Sequence, residues 1–491
     1  MILPYYITIP LLSAFLISLI AGKKDKWAIL LSTTAGASML ILSIYSLIAQ
    51  NGETFIYKMG FWSLPVGIVL VQDGLACLML VLVSLISFTS LIYSVQYIRH
   101  MDRNWKYYAL FMLLVTGMNG VIITGDLFNL FVFMEIALLS AFALVAYGGQ
   151  AEEYEAAFKY AVMGALSSTL VLIGIAILYS ATSTLTMAKM AEKVPTLDPR
   201  LIYWVGGLFL AGFGLKAAIM PFHAWLPDAH SSAPAPISSM LSGVLIKVLG
   251  IYAMIRLYFN VFGAPHLYMN VFMVLGAISI ILSGLLSIVQ WDMKRLLAYS
   301  SISQIGYILV GLGIGTPLGI LGAVFHLFSH AIFKSLLFYN AGAVEMALGT
   351  RDMRKMGSLV HALPVTSATS LVGGLAISGI PPFNGFISKL IIIIALIKAG
   401  APVYAILAVI GSILTLGAIM KMQRFGFRGE TEISKISEKI GWPMQTSMVL
   451  LALLCLLTGL MMLPGIRESI LDPVVKVIVD HHQYMQLVLG R

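Results

Sequence analysis

Apolar stretches of about 20 residues follow one another along the chain, separated by short polar or charged connections. A helix of roughly that length crosses a hydrocarbon core about 30 Å thick. Fourteen such stretches are legible, near 2–21, 27–48, 74–98, 105–124, 126–147, 156–180, 201–222, 235–259, 268–290, 293–314, 317–344, 361–382 running on to 400, 403–423 and 443–464. The pattern predicts an all-α polytopic membrane protein.

Two stretches are interrupted by proline, in "AAIMPFHAWLP" and "ISGIPPFNGFISK". Pro221 cannot donate to the carbonyl of Ala217, and Pro381 and Pro382 free those of Ile377 and Ser378. Freed carbonyls inside a membrane persist only where protein or water satisfies them. Each break comes two spans after a helix led by an aspartate, in "GDLFNLFVFMEIALLSAFALVAYG" and "WDMKRLLAYSSISQIGYILVGLG". Residues 268–423 therefore read as a repeat of 105–259, flanked by a three-helix segment (1–104) and by a last span with its tail (424–491). Five is odd, so consecutive five-helix units cross the membrane in opposite senses. Inverted repeats with broken helices are a recurring transporter plan.

Composition agrees: 59% of residues are hydrophobic and 10% charged, against about 25% charged in soluble proteins. The N-terminus has no basic region ahead of its apolar stretch and no small-residue cleavage site, so it reads as a first span rather than a signal peptide. Lys23, Lys24 and Lys26 after it assign that connection to the cytoplasm. Alternation from there puts Arg99, Arg103, Lys106, Lys294, Arg295, Arg351, Arg354, Lys355, Lys421, Arg424, Arg428, Lys435 and Lys439 on the same side and both termini outside, as in a multi-pass protein of a prokaryotic plasma membrane. The net charge of +9 follows from this topology and calls for no nucleic acid. Cys77 and Cys455 fall in separate spans and read as buried apolar residues, with neither a disulfide framework nor a metal motif.

Five ionisable residues fall deep in spans: Glu135, Lys216, Lys247, Lys334 and Lys389. A charge at such depth costs a few kcal/mol and is a functional hypothesis by default. Glu135 lies nine residues beyond Asp126, about 13 Å deeper at helical rise. His326, His330 and Lys334 stand at i, i+4 and i+8, one polar stripe on a helix otherwise rich in Phe and Leu. A lysine beside a carboxylate keeps its proton while the two are close and releases it when they part, and histidines suit relay work between lysines. Lys398, Arg256 and Lys421, near span ends, read as structural groups, snorkelling or hydrogen-bonded between helices. Lys159 is open between the two readings.

With these residues in view, the chain resembles the antiporter-like family shared by the large subunits of Mrp-type Na+/H+ antiporters, respiratory complex I and membrane-bound hydrogenases. The matching stretches are "GDLFNLFVFMEIALLSAFALV", "AAFKYAVMGALSS", "GLKAAIMPFHAWLPDAHSSAPAPISSMLSGVLIKVLGIY", "DMKRLLAYSSISQIGYI", "HLFSHAIFKSLLF" and "SGIPPFNGFISK". The resemblance implies that Glu135 is the fifth-helix glutamate, Lys216 its seventh-helix partner, Lys247 the central eighth-helix lysine, His326, His330 and Lys334 the eleventh-helix linkers, and Lys389 the twelfth-helix exit residue. The N-type complex I subunit has lysine at the position of Glu135 and the M-type has glutamate at that of Lys389. A lateral C-terminal helix of the L-type is not expected in the 27 or so residues after the last span. The D-type Mrp subunit and its counterpart in hydrogenase-like complexes resemble the chain most.

The implied function is proton translocation within a hetero-oligomeric membrane complex that includes related antiporter-like subunits, with H+ as the transported ion and Na+ left open. The alternative is a membrane subunit of a redox enzyme, hydrogenase-like or NADH dehydrogenase-like, with a quinone-related or structural role. The sequence carries no cysteine cluster, dinucleotide fingerprint or quinone signature, so no cofactor is expected in this chain.

Overall fold

The computed structural model describes residues 2–20, 25–50, 52–62, 67–99, 101, 104–429 and 437–490. Of the basic residues used above for topology, Lys23, Lys24, Arg103 and Lys435 lie outside the described residues. The chain is a bundle of helices. Those of seven residues or more are, in order, α1 (Tyr5–Ile20), α2 (Asp25–Gln50), α3 (Gly74–Tyr97), α4 (Asn104–Ile123), α5 (Leu127–Val145), α6 (Ala151–Thr182), α7 (Met187–Lys193), α8 (Pro199–Ala217) and α9 (Trp225–Ser232). There follow α10 (Ala235–Val261), α11 (His266–Val289), α12 (Met293–Gly313), α13 (Pro317–Leu348), α14 (Pro364–Ser378), α15 (Asn384–Lys398), α16 (Pro402–Phe427), α17 (Trp442–Met462), α18 (Pro464–Val479) and α19 (His481–Leu489). Among the described residues eleven helices are long and apolar enough to cross a membrane.

The apolar pattern did not anticipate a short antiparallel hairpin, β1 (Phe55–Lys58) with β2 (Val69–Gln72), in register Phe55↔Gln72. Nor did it anticipate that the tail beyond α17 is helical, as α18 and α19.

Side-chain caps fix where the spans begin. Asp73 accepts from Ala76 N at 3.0 Å to open α3, Asp126 from Asn129 N at 2.8 Å to open α5, and Asp292 from Arg295 N at 2.8 Å to open α12. Each cap satisfies a backbone donor that the first turn leaves free. The aspartates of α5 and α12 recur in one further arrangement. Leu127 N bonds Leu185 O and Met187 N bonds Gly125 O, both at 2.9 Å, while Met293 N bonds Arg351 O and Met353 N bonds Trp291 O, both at 3.0 Å. The bridges pair Asp126 with Thr186 and Asp292 with Asp352, at one spacing in sequence.

The two proline breaks are built alike. α8 ends where Ala218 turns left-handed (φ 52°), with Ile219 N returning to Gly214 O at 3.0 Å; α14 ends at left-handed Gly379 (φ 79°), with Ile380 N returning to Leu375 O at 3.1 Å. This is the ordinary way a helix closes its last carbonyls. A neighbouring glycine lets another segment cross close to each break: Gly250 of α10 lies against Ala217, and Gly385 of α15 against the carbonyl of Ala376, where an added Cβ would collide.

α10 and α13 are wholly enclosed, whereas α2 and α16 turn most of their surface outward. α10 is also the least regular span: Leu241–Leu245, Lys247–Tyr252 and Arg256–Val261 have wide i→i+5 turns, a distortion frequent at functional sites.

Candidate functional site

The deep ionisable residues come from five different helices, and all except Glu135 are enclosed. Lys216, on the last turn of α8, puts its Nζ 3.8 Å from Glu135 Oε1 of α5. Between them stands Ser168 of α6. Its hydroxyl donates to Glu135 Oε1 and accepts from Lys216 Nζ at 3.0 Å. The serine is thus a hydrogen-bonded link in an ion pair whose partners do not touch directly. The lysine side chain is 1% exposed and the glutamate side chain 32%. Glu135 opens onto a lateral face with outward Phe128, Val132 and Leu139.

One step inward, Gly250 of α10 packs on Ala217, the neighbour of Lys216. Lys247 lies three residues before that glycine, fully buried, and its Nζ donates to Ser242 O at 2.6 Å. The stripe on α13 faces it. His330 stands between His326 and Lys334 on that stripe, one helical turn from each, which makes it the hub of the row. The rings of His326 and His330 are 6.3 Å apart, and His326 Nδ1 is 2.9 Å from Ser388 Oγ. Both ring nitrogens of His330 and Nε2 of His326 are buried with no protein hydrogen-bond partner. Buried polar atoms are rarely left so in native proteins unless water or a moving proton uses them.

Lys334 donates to Leu297 O at 2.7 Å and to Ser300 Oγ at 2.5 Å, both on α12. Lys389 differs in one respect from its sequence position. The spacing sets its Cα about 10 Å beyond Pro382 along the chain at helical rise, yet its side chain folds back so that Nζ donates to Ile377 O at 2.7 Å, a carbonyl freed by Pro381, and lies 4.7 Å from the Tyr307 ring. The displacement along the helix is undone by the length of the side chain. Lysine itself satisfies the broken helix.

Several polar groups in the row were not singled out by sequence reasoning. Ser168 bonds two members of the row, and Ser300 and Ser388 one each, but small hydroxyls are frequent in spans and carry no distinctive pattern. His230 of α9 is fully buried, with neither ring nitrogen bonded; it was legible only as part of "WLPDAH". Arg256 is more than a span-end group. Its guanidinium makes a buried two-pronged pair with Asp73, both contacts at 2.7 Å, and bonds Tyr252 and Asn260. Lys294, read above only as a topology charge, is buried and 2.5 Å from Glu345. Lys159 is half-exposed and pairs with Glu155 and Asp228. Lys421 donates to Ile288 O and Gln290 O, a structural role between helices.

Comparison with known proteins follows the same outline. The profile of the family described as "NADH:quinone oxidoreductase/Mrp antiporter, TM" matches residues 124–415, and "NADH-Ubiquinone oxidoreductase (complex I), chain 5 N-terminus" matches 59–112. The D-type subunit of the Na(+)/H(+) antiporter of Alkalihalophilus pseudofirmus is 35% identical over 431 residues, covering 86% of this chain and 87% of that protein. The N-type subunit of the NADH-quinone oxidoreductase of Desulforudis audaxviator is also 35% identical, over 441 residues and 87% of each chain, so overall identity does not separate the D and N types. Among solved structures, a chain of the Mrp complex from Dietzia sp. DQ12-45-1b superposes with a TM-score of 0.93 at 27% identity, covering 99% of both chains. A chain of the membrane-bound sulfane sulfur reductase (MBS), an archaeal respiratory membrane complex, superposes with a TM-score of 0.90 at 30% identity, again over 99% of both. By profile, by relatives and by fold, this chain belongs to the NADH:quinone oxidoreductase/Mrp antiporter transmembrane family.

Proposed function

We propose that the chain is a proton-translocating, antiporter-like subunit of a multisubunit ion-pumping complex in a prokaryotic plasma membrane. The observation that carries this reading is the enclosed row itself: Glu135–Ser168–Lys216 at one end, Lys247 and the α13 histidines in the middle, Lys334 and Lys389 beyond. A buried lysine row whose one carboxylate partner among the described residues is Glu135 is unfavourable as pure structure. It becomes useful if protons move along it. Separation of Glu135 from Lys216 would release a proton toward Lys247, and His330 would pass it on to Lys334 and, beside His326, to Lys389.

The reading includes fourteen crossings, the eleven long helices together with α1, the broken pair α8–α9 and the broken pair α14–α15. It also includes two inverted repeats, 105–259 and 268–423, between the three-helix segment 1–104 and the terminal part 424–491. The paired aspartate bridges support the inversion, since five crossings separate Asp126 from Asp292 and so put like structures at opposite ends. The breaks support it too, each with a proline, a left-handed residue and a charged side chain nearby. The partly open Glu135 on an apolar lateral face supports a neighbouring subunit there, because a carboxylate facing lipid would be costly. Relatives named for Na+/H+ antiport and for NADH:quinone oxidoreduction make either kind of complex a fitting host; the row serves both.

The test is proton flux in proteoliposomes carrying the whole complex, followed with a pH-sensitive dye. Glu135→Gln and Lys216→Met should each abolish it while the complex still assembles. Wild-type flux in either would remove the pair from the mechanism.

A further inference from the structure

Asp228 has no part in the row just described, and it stands on α9, the eight-residue helix that follows the first break. We infer that Asp228 is a positioning residue for Lys216, acting through α9; the inference rests on the relay reading above.

The mechanical link is a single side chain. Trp225, at the start of α9, is buried and donates its indole Nε1 to Leu215 O at 2.8 Å. That carbonyl belongs to the residue before Lys216, in the last turn of α8. The indole also stacks on Tyr160 of α6, with centroids 4.2 Å apart and planes 3° from parallel. Tyr160 and Ser168 lie eight residues apart on one face of α6, so the helix that seats Trp225 also presents the serine linking Glu135 to Lys216. The place of α9 therefore bears on the geometry of the pair from both sides.

What holds α9 is charge. Asp228 lies one turn beyond Trp225, and its two carboxylate oxygens go to different halves of the bundle: Oδ2 accepts from Lys159 of α6 at 2.9 Å and Oδ1 from Arg295 of α12 at 2.7 Å. Arg351 adds a bond to Ser231 O on the next turn, at 2.5 Å. The other charges around this rim, Glu152 and Glu155 of α6 and Asp292 before α12, are acidic. Carboxylates offer Asp228 no donor, so Lys159 and Arg295 are the groups that pair with it.

The second break offers a parallel. Lys389 follows Pro382 by as many residues as Asp228 follows Pro221, and it fixes its own break directly, by donating to Ile377 O. At the first break the charged residue at the same step is acidic and cannot bond a carbonyl. It acts instead through two cations and the indole.

In proteoliposomes carrying the whole complex, Asp228→Asn should lower proton flux roughly tenfold, the upper range for changes acting at one remove from a site. Asp228→Glu, which keeps the charge, should restore most of it. Trp225→Phe removes the indole N–H but keeps an aromatic ring against Tyr160, and should lower flux several-fold. The double variant should be no slower than Asp228→Asn alone, because groups acting in one line are not additive. Wild-type flux in Asp228→Asn or Trp225→Phe would overturn the inference, as would effects that multiply. If the Asp228→Asn complex fails to assemble, Trp225→Phe alone decides. Glu135→Gln measured in parallel separates the two claims: if it is inactive while the α9 variants run normally, only this inference fails, whereas wild-type flux in Glu135→Gln removes the relay reading itself.

Discussion

Replacing Ser168 by alanine tests the pair in a graded way. The substitution deletes one hydroxyl that donates to Glu135 and accepts from Lys216 at 3.0 Å, and leaves the two charges 3.8 Å apart. Hydrogen bonds to charged groups contribute about 1.5–3 kcal/mol each. Water or a closer approach of the partners would replace part of two such bonds, so a net loss of about 1.5–3 kcal/mol is expected, one to two decades in the population of the linked state. Direct attraction across 3.8 Å is about 4 kcal/mol at an effective dielectric near 20. Glu135→Gln removes that attraction and the titrating group together, whereas Ser168→Ala leaves both. Proton flux by Ser168→Ala, measured in proteoliposomes with a trapped pH dye, should therefore fall about 10- to 100-fold yet stay above that of Glu135→Gln. Equal loss in the two variants would mean that the serine, not the ion pair, is the element that matters. An unchanged rate in Ser168→Ala would mean that the linked geometry has no role in transport.

Three further outcomes follow from other parts of the bundle. His330→Ala should slow flux more than His326→Ala, since His330 is the hub, and both more than Phe325→Leu on the opposite face of α13; equal effects of all three would indicate packing alone. Lys389→Met, unable to titrate, should abolish flux, while Lys389→Glu should keep a part of it at a reduced rate because a carboxylate cannot replace the bond to Ile377 O; equal flux in the Met and Lys forms would refute an exit role. Asp73→Asn should destabilise the chain by about 3–5 kcal/mol, the usual cost of leaving one member of a buried pair alone, read as a lower melting temperature of the purified complex, and an unchanged melting temperature would refute that cost.

The apolar pattern was sufficient for a helical membrane bundle because in lipid a spanning chain must bond its own backbone, and runs of apolar residues record that need directly. Prolines marked both breaks for a similar local reason: a missing N–H frees a known carbonyl wherever the helix lies. The deep charges were legible because they contrast with everything around them. Their partners were not. Ser168 is one hydroxyl among many in the spans, and only the crossing of α5, α6 and α8 puts it between Glu135 and Lys216. Arg256 and Lys294 looked like span-end charges until the fold brought Asp73 and Glu345 to them, since residues distant in sequence leave no periodic trace of meeting. Lys389 shows the same limit in one side chain: helical rise fixed its Cα, while the neighbouring broken helix decided where the ammonium went. What the sequence determined was therefore whatever one helix must do for itself in a membrane, and what the tertiary structure decided was which polar groups share the dry interior between helices.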